Sequence, residues 1–276
     1  MRHYRKEGGV RYNSGKHTHR LRCGDHVTNL SLHNRTKNGP KPDPSCPLGC
    51  KDEYGGPRMD YWLHWYLCEP SGAKGLATAR HNATCRALER AVAKGTLGRF
   101  LKYTNFGRTD EEPEERTVPE WMLHGNRTGL PDKPDFLIVK GWPKERAPPR
   151  GPHTKPPERG QVIELILAEL KYTDDGKMRA KHDDIIRKYA PLITRLREEG
   201  WKVRPVTASI VIGHRSTALL DNHAAFKTLG IAGKKAQQAV QNKLVDISID
   251  YTARIVRTTT KARAAHANRR TPLAPP

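Results

Sequence analysis

The sequence predicts an α/β domain, a mixed sheet flanked by helices, behind a small module rich in cysteine and histidine. Three observations lead there. The runs "DFLIVK" (135–140), "VIELILAELKY" (162–172) and "WKVRPVTASIVIG" (201–213) have the length and branched-residue content of strands. Longer segments of helical periodicity alternate with them. Ahead of them all, Cys46, Cys50, His64 and Cys68 fall within residues 41–75.

Residues 1–40 are mostly Gly, Asn, His, Lys and Arg with almost no apolar periodicity, which predicts a flexible basic arm. Residues 41–75 hold the aromatic "YWLHWYLCEP", bounded by "GPKPDPSCPLGC" (39–50) and "EPSGAKG", a compact module. In 75–95, Leu76, Ala79, Ala83, Leu88, Ala91 and Val92 recur at roughly helical spacing and Gly95 is the stop. An acid- and proline-rich loop, "RTDEEPEERTVPEW", precedes the first strand at 135–140. Residues 140–160 contain six prolines and six basic residues and read as an exposed loop. The second strand, 162–172, follows. Ile185, Ile186, Tyr189, Leu192, Ile193 and Leu196 then mark one stripe of a helix that Pro191 is expected to kink. Residues 201–213 predict a third strand, and 216–230 a short helix with Ser216 as N-cap and Gly230 as stop. Ala236, Val240, Leu244, Ile247, Tyr251 and Ile255 predict a last helix before a basic tail. The expected regions are therefore the arm (1–40), the module (41–75), the α/β domain (76–232, with its loop at 140–160) and the C-terminal helix and tail (233–276).

Fifty Lys and Arg stand against 29 Asp and Glu, a formal charge of +21 and a pI near 10.0. A balance this basic suits a polyanionic partner. No run approaches the roughly 18 to 20 apolar residues of a membrane span, and the N-terminus lacks an apolar signal region. The chain reads as soluble and intracellular, without a membrane partner. Five cysteines, an odd number with histidines close by, favour metal ligation over a disulfide framework.

Cys46-x3-Cys50-x13-His64-x3-Cys68 supplies three thiolates and an imidazole, a set that suits a structural, tetrahedral Zn²⁺. Its binding would supply folding energy to about 30 residues that have no core of their own. His64 and Cys68, four apart, can alternatively share one apolar helix face; Cys23 and His26 are substitute ligands, and Cys85 reads as a buried structural thiol.

A second group of residues surrounds the end of the second strand. Side chains alternate along a strand, so Glu169 and Lys171 share a face that Glu164 does not. Asp135, at the start of the first strand, can lie beside Glu169. Two neighbouring carboxylates repel unless a cation neutralises them, and Mg²⁺ (or Mn²⁺) is commonly held by one or two carboxylates plus phosphate and water. Lys171 is then placed to orient or deprotonate the attacking water or to stabilise developing charge. An isolated Glu-x-Lys is ordinarily a solvated strand end; here the Pro-Asp ahead of it, the apolar run and the basic charge point the same way.

"KPDFLIV" followed by "ILAELKYTDD" resembles the PD-(D/E)XK nuclease signature, with Asp135, Glu169 and Lys171 at its three catalytic positions. The ordered set "HWYLCE", "GLATARHNATCRALERAV", the Pro-Asp strand, "AKHDDIIRKY" and "LLDNHAAFKTLGI" resembles, over about residues 44–260, the C-terminal region of non-LTR retrotransposon polyproteins that carry a restriction-like endonuclease behind a Cys-Cys-His-Cys knuckle. That resemblance implies a PD-(D/E)XK mixed sheet and Mg²⁺-dependent nicking of DNA that primes reverse transcription. It implies an Arg-His pair at Arg80 and His81 opening the first helix, and a Lys-Tyr at Lys188 and Tyr189, with Lys188 or His182 near the scissile phosphate. Phosphate contacts are expected from Arg80, His81, Lys140, Lys144, Arg146 and Arg150. The implied partners are DNA, retroelement RNA and a reverse transcriptase in cis or in trans, after cytoplasmic synthesis and nuclear entry. The sequence departs from the pattern in its long interval between Asp135 and Glu169, in its knuckle spacings, in a second Pro-Asp at Pro131-Asp132 and in a rival carboxylate at Glu164. No reverse transcriptase precedes the region, so the chain is expected to be a truncated copy or a separated tail. The competing expectation is a catalytically inactive nucleic-acid-binding remnant.

Overall fold

The ten-residue strand Glu164–Thr173 is the axis of the sheet, and residues 165–170 are buried without a break. A strand covered on both faces needs apolar residues at successive positions rather than alternate ones, which is what "LILA" supplies. The computed structural model describes residues 34, 36–41, 43–97, 100–104, 118–119, 122–123, 129–131, 133–141 and 164–270. Most of the basic arm, most of the acidic loop and nearly all of loop 140–160 lie outside these residues, as do Cys23, His26, Asp132, Lys144, Arg146 and Arg150.

The described elements are α1 (Ala73–Ala93), β1 (Phe100–Thr104), β2 (Phe136–Lys140), β3 (Glu164–Thr173), α2 (Met178–Glu198), β4 (Lys202–Val203), β5 (Ala208–Gly213), α3 (Asn222–Thr228) and α4 (Lys234–Arg270). Two compact units divide the chain: Met1–Arg80, His214–Ser216 and Val245–Pro276 make one, His81–Gly213 and Thr217–Leu244 the other. The units are thus built from separated segments, with α1 and α4 each supplying residues to both.

In the second unit β2 pairs antiparallel with β1 and with β3, while β5 and the two-residue β4 pair parallel with β3 along its other edge. One sheet face, with Phe136, Ile138, Ile166, Ala168, Leu170 and Ile210, packs on Cys85, Leu88, Phe226 and Leu244. The other, with Leu137, Val139, Leu165, Leu167 and Val211, packs on Ile185, Tyr189, Leu192 and Leu196 of α2. The fold is a mixed sheet with helices on both faces.

In the first unit the turn of 3₁₀ helix at Trp62–Tyr66 is covered by the later part of α4. Tyr66 packs with Ile255, and Trp65 with Val256. Asp60, fully buried, accepts from Trp65 Nε1 at 3.2 Å and is ion-paired to Arg263, whose guanidinium lies 4.4 Å over the Trp65 ring.

Several sequence expectations change. The third strand is two, because Pro205 offers no amide and pairing lapses between Val203 and Ala208. The five-residue β1 is an addition; it is too short for its periodicity to register. Ser216 is not an N-cap: it lies in a turn at φ 63, buried, with its hydroxyl donating to Ser248 at 2.9 Å, and α3 starts six residues later. Pro191 sits on the exposed side of α2, which continues through it from Met178 to Glu198. The basic tail is helical to Arg270.

Gly230 closes α3 as expected. It adopts φ 75, its amide bonds Lys227 O at 3.0 Å and the Ile231 amide bonds Phe226 O at 2.9 Å. Its carbonyl also receives the Thr96 amide at 2.7 Å, so the ends of α1 and α3 meet backbone to backbone. A Cβ on Gly95 would stand 2.5 Å from that carbonyl oxygen. Gly95→Ala is therefore expected to destabilise the fold by about 1–3 kcal/mol, while Gly75→Ala, which meets nothing within 4 Å in α1, should be neutral or stabilising by up to about 1 kcal/mol. Urea denaturation of the two variants checks this; equal midpoints would refute the close approach.

Candidate functional site

Cys46 and Cys50 flank the "PLG" turn, in which Gly49 takes φ 73 and its amide bonds Cys46 O at 3.1 Å. The Cys46 amide to Arg58 O (2.8 Å) and the Arg58 amide to Cys50 O (2.9 Å) fold this turn onto the returning chain. The Trp62–Tyr66 turn then brings His64 and Cys68 to the two thiols. The four ligand atoms all lie within 4.8 Å of one another. Cys50 Sγ and Cys68 Sγ are 3.7 Å apart, against the roughly 3.8 Å that two 2.3 Å zinc–sulfur bonds subtend in a tetrahedron. His64 is buried with neither ring nitrogen hydrogen-bonded, a cost that a metal bond removes. The thiols split one another's ionisation: hydrogen bonding from Cys46, against burial, holds Cys68 down to about 3, and the same bond pushes Cys46 up. Donor set, separations and orphaned imidazole all fit, and Cys46, Cys50, His64 and Cys68 can hold a metal ion such as zinc.

The second site belongs to the sheet. Pairing of β2 with β3 ends at Phe136 opposite Ala168. One residue on, side chains replace the ladder: the Asp135 amide donates to Glu169 Oε2 at 2.8 Å and the Leu170 amide donates to Asp135 Oδ2 at 2.8 Å. Pro134 offers no amide with which to extend the strand, so the carboxylates occupy the place of the next rungs. Both are buried, Glu169 to 1% exposure.

Cations reach the pair from both sheet faces. Lys171 Nζ lies 2.8 Å from Glu169 Oε1 and 3.9 Å from Asp135 Oδ2. Lys188, on α2, is 3.9 Å from Glu169 Oε1 and donates to Tyr189 Oη at 3.0 Å, which in turn donates to Lys133 O at 3.1 Å. His81, on α1, sets Nε2 3.2 Å from Asp135 Oδ2 and 3.0 Å from Leu170 O. Burial pulls Lys171 down, but the Glu169 and Asp135 charges outweigh it and hold the amine above the usual lysine range. Burial likewise opposes charge on His81 and on Asp135; their mutual hydrogen bond and charge win, raising the imidazole and lowering the carboxyl.

The structure thus brings Asp135, Glu169, Lys171 and Lys188 together and adds His81. Glu164, five residues from Glu169 and so roughly 17 Å along the strand, pairs instead with Arg204 at 2.8 Å and Lys140 at 3.8 Å. His182 lies six residues before Lys188 on α2 with Nδ1 buried and no hydrogen-bond partner. Arg80 does not face a polyanion: it is 1% exposed in the middle of α1, donating to Thr252 Oγ1 (3.2 Å), 3.1 Å from His214 Nδ1 and 4.7 Å over the Tyr66 ring. Burial, then the Arg80 charge, depresses His214 to about 3, so it is neutral beside the guanidinium.

Two neighbours of the site complete its surroundings: Cys85, buried as the sequence predicted but not placed at this site by it, and Ser209, which went unread. Cys85, one helical turn from His81, has Sγ 3.7 Å from His81 Nε2; the signal was the His-x3-Cys spacing on one helix face. Ser209, opposite Glu169 in the parallel register, has a buried Oγ with no hydrogen-bond partner; strand register alone reveals it.

No family model matches the chain, and no curated protein matches its sequence.

Purified protein is expected to hold about one zinc per chain, as a closed four-ligand site implies; metal analysis finding none, or full retention after Cys50→Ala with Cys68→Ala, would reject the site. For the carboxylates, Lys171→Ala should cost about 1–2 kcal/mol at neutral pH, discounted for its partial exposure. Asp135's lowered carboxyl stabilises the fold fully above its ordinary value of 3.8, and that contribution is lost as pH falls through the lower folded value. The deficit of Lys171→Ala should accordingly shrink in acid, where protonation of Asp135 removes the charge it leaves unpaired. Thermal melts at pH 7 and near pH 3.5 measure it, and an unchanged deficit would contradict the pairing.

Proposed function

We propose that this chain is a metal-dependent DNA endonuclease, a PD-(D/E)XK domain with a zinc knuckle of the kind found at the C-terminus of non-LTR retrotransposon polyproteins. The observation that carries the reading is the apposition of Asp135 and Glu169 across the end of β2, with Lys171 reaching both. Two carboxylates buried side by side, drawn from separate strands and answered by three basic side chains, are a costly arrangement that structural stability alone does not call for.

The donors suit a hard divalent ion. Asp135 Oδ2 and Leu170 O converge on one point, His81 Nε2, and Glu169 adds a further carboxylate. Asp135 and Glu169 would hold Mg²⁺ or Mn²⁺, which supplies Lewis-acid stabilisation of phosphate charge and a more acidic bound water. Lys171, within reach of both carboxylates, is placed to orient or deprotonate the attacking water and to stabilise developing negative charge. Lys188, half exposed, can meet the phosphate from the α2 side. The charge of +21 supplies sequence-independent attraction to nucleic acid. The reading extends to nicking that primes reverse transcription in the nucleus, with a reverse transcriptase and element RNA as partners.

Nicking of supercoiled plasmid with Mg²⁺, and its loss in EDTA, tests the activity. Asp135→Ala and Glu169→Ala should abolish nicking while preserving or tightening DNA binding, since each removes negative charge near the phosphate. Lys171→Ala should lose cleavage yet still bind Mg²⁺, and Glu164→Ala should cut like the parent. A folded Glu164 variant that is dead beside an active Glu169 variant would show that the wrong carboxylate was chosen. A parent inert with every divalent metal would leave a nucleic-acid-binding module.

A further inference from the structure

α2 carries cations at the end where a helix tolerates them least. Lys177 is its N-cap, Arg179 and Lys181 lie in its first turn, and that turn holds no acidic residue, so all these charges oppose the positive end of the helix dipole. Lys177 and Lys181 are also four residues apart, a spacing at which like charges destabilise a helix. The carboxylates around them are engaged elsewhere. Asp174 accepts from the Gly176 amide at 3.0 Å, Asp175 takes the Thr217 hydroxyl, Asp184 pairs with Arg187 at 2.5 Å and Asp221 with Arg179 at 3.0 Å. Both arginines thus have an acid, whereas Lys177, exposed, and Lys181, partly exposed, have none among the described residues. At about 100° per residue, Lys177, Lys181 and Lys188 fall within roughly 40° of one another round the helix axis. Lys188, half exposed, is the member that reaches the carboxylates, 3.9 Å from Glu169 Oε1. At about 1.5 Å per residue, Lys181 stands roughly 10 Å and Lys177 roughly 16 Å from Lys188 along the axis. One strand of B-DNA advances about 3.4 Å per nucleotide, so these are steps of about three and five nucleotides.

We propose that Lys177, Lys181 and Lys188 form a track for the phosphates of one strand of duplex DNA, running along α2 away from the phosphate to be cut. A phosphate at each lysine supplies the negative charge that the first turn of α2 lacks, which accounts for cations placed against the dipole. An ammonium on a flexible stem is a point charge without fixed geometry, so the track holds the backbone and does not read bases. The position of the scissile phosphate at Lys188 rests on the nuclease reading; the attraction of the track for DNA does not.

The test is the salt dependence of DNA binding by the full chain, followed by fluorescence anisotropy on a labelled duplex in magnesium-free buffer between roughly 50 and 200 mM salt. The slope of log Kobs against log salt should fall in magnitude by about 0.9 in Lys181→Gln and by about 1.8 in the double variant Lys177→Gln with Lys181→Gln, whatever the duplex sequence. Lys243→Gln, which removes an exposed lysine of α4, should leave the slope as it is. An unchanged slope in the double variant overturns the track. So does an equal loss in Lys243→Gln, which would show attraction by net charge alone, or a loss seen with single-stranded RNA and not with the duplex. Thermal melts of both lysine variants should be unchanged or raised, because each removes charge opposed to the dipole; a lowered melt would make the lysines structural and overturn the proposal. In the nicking assay Lys181→Gln should raise KM by about threefold or more with kcat kept, the mark of lost uniform binding. A fall in kcat with KM kept would overturn the placement of the track. A parent that never nicks counts against the proposed hydrolysis and leaves the salt slopes to decide the track.

Discussion

Everything at the sheet site follows from one exchange: where β2 stops pairing, Asp135 and Glu169 each take a backbone amide from the other's strand. An amide left open beside β3 would be costly to bury, and a carboxylate is a stronger acceptor than the carbonyl it replaces. The exchange therefore completes the sheet and, in the same stroke, holds two negative charges beside each other in a place nearly closed to water. A carboxylate pair of this kind is stable only if positive charge is brought to it.

The surrounding elements bring that charge. β3 itself supplies Lys171, two residues on and so on the same face as Glu169; α2 supplies Lys188 on that face, and α1 reaches from the other with His81. The sheet is covered on both sides, so the strand end is one of the few places where side chains from opposite layers can converge on the same oxygens. The convergence also explains why His81 and Cys85 stand together with Asp135: a helix packed on the sheet presents residues one turn apart to a single strand end.

The Cys46, Cys50, His64 and Cys68 group solves a different problem. Its segment turns twice within two dozen residues, with backbone bonds from Cys46 and to Cys50 but few apolar side chains between them. Below a certain size a core cannot offset chain entropy, and a metal ion held by these four residues would do so where packing cannot. The aromatic turn that carries His64 also carries Trp65 and Tyr66, which pack on Val256 and Ile255 of α4. A metal held there would therefore anchor the same short turn that packing anchors.

Local pattern was enough for much of this. The Cys and His spacing picked out the four residues that can hold a metal, the apolar runs located β2 and β3, and the alternation rule separated Glu169 and Lys171 from Glu164, because each is set by residue chemistry and the two- or 3.6-residue period. Pairings between distant segments were beyond that reach. That Asp135 lies opposite Glu169 depends on a strand register spanning 34 residues. That Arg80 is buried among Tyr66, His214 and Thr252 while its neighbour His81 meets a carboxylate depends on which side of α1 each occupies. Adjacent helical residues point about 100° apart, so the sequence by itself determined that an Arg-His pair would diverge, and only the tertiary structure decided that one would be enclosed and the other would complete the site.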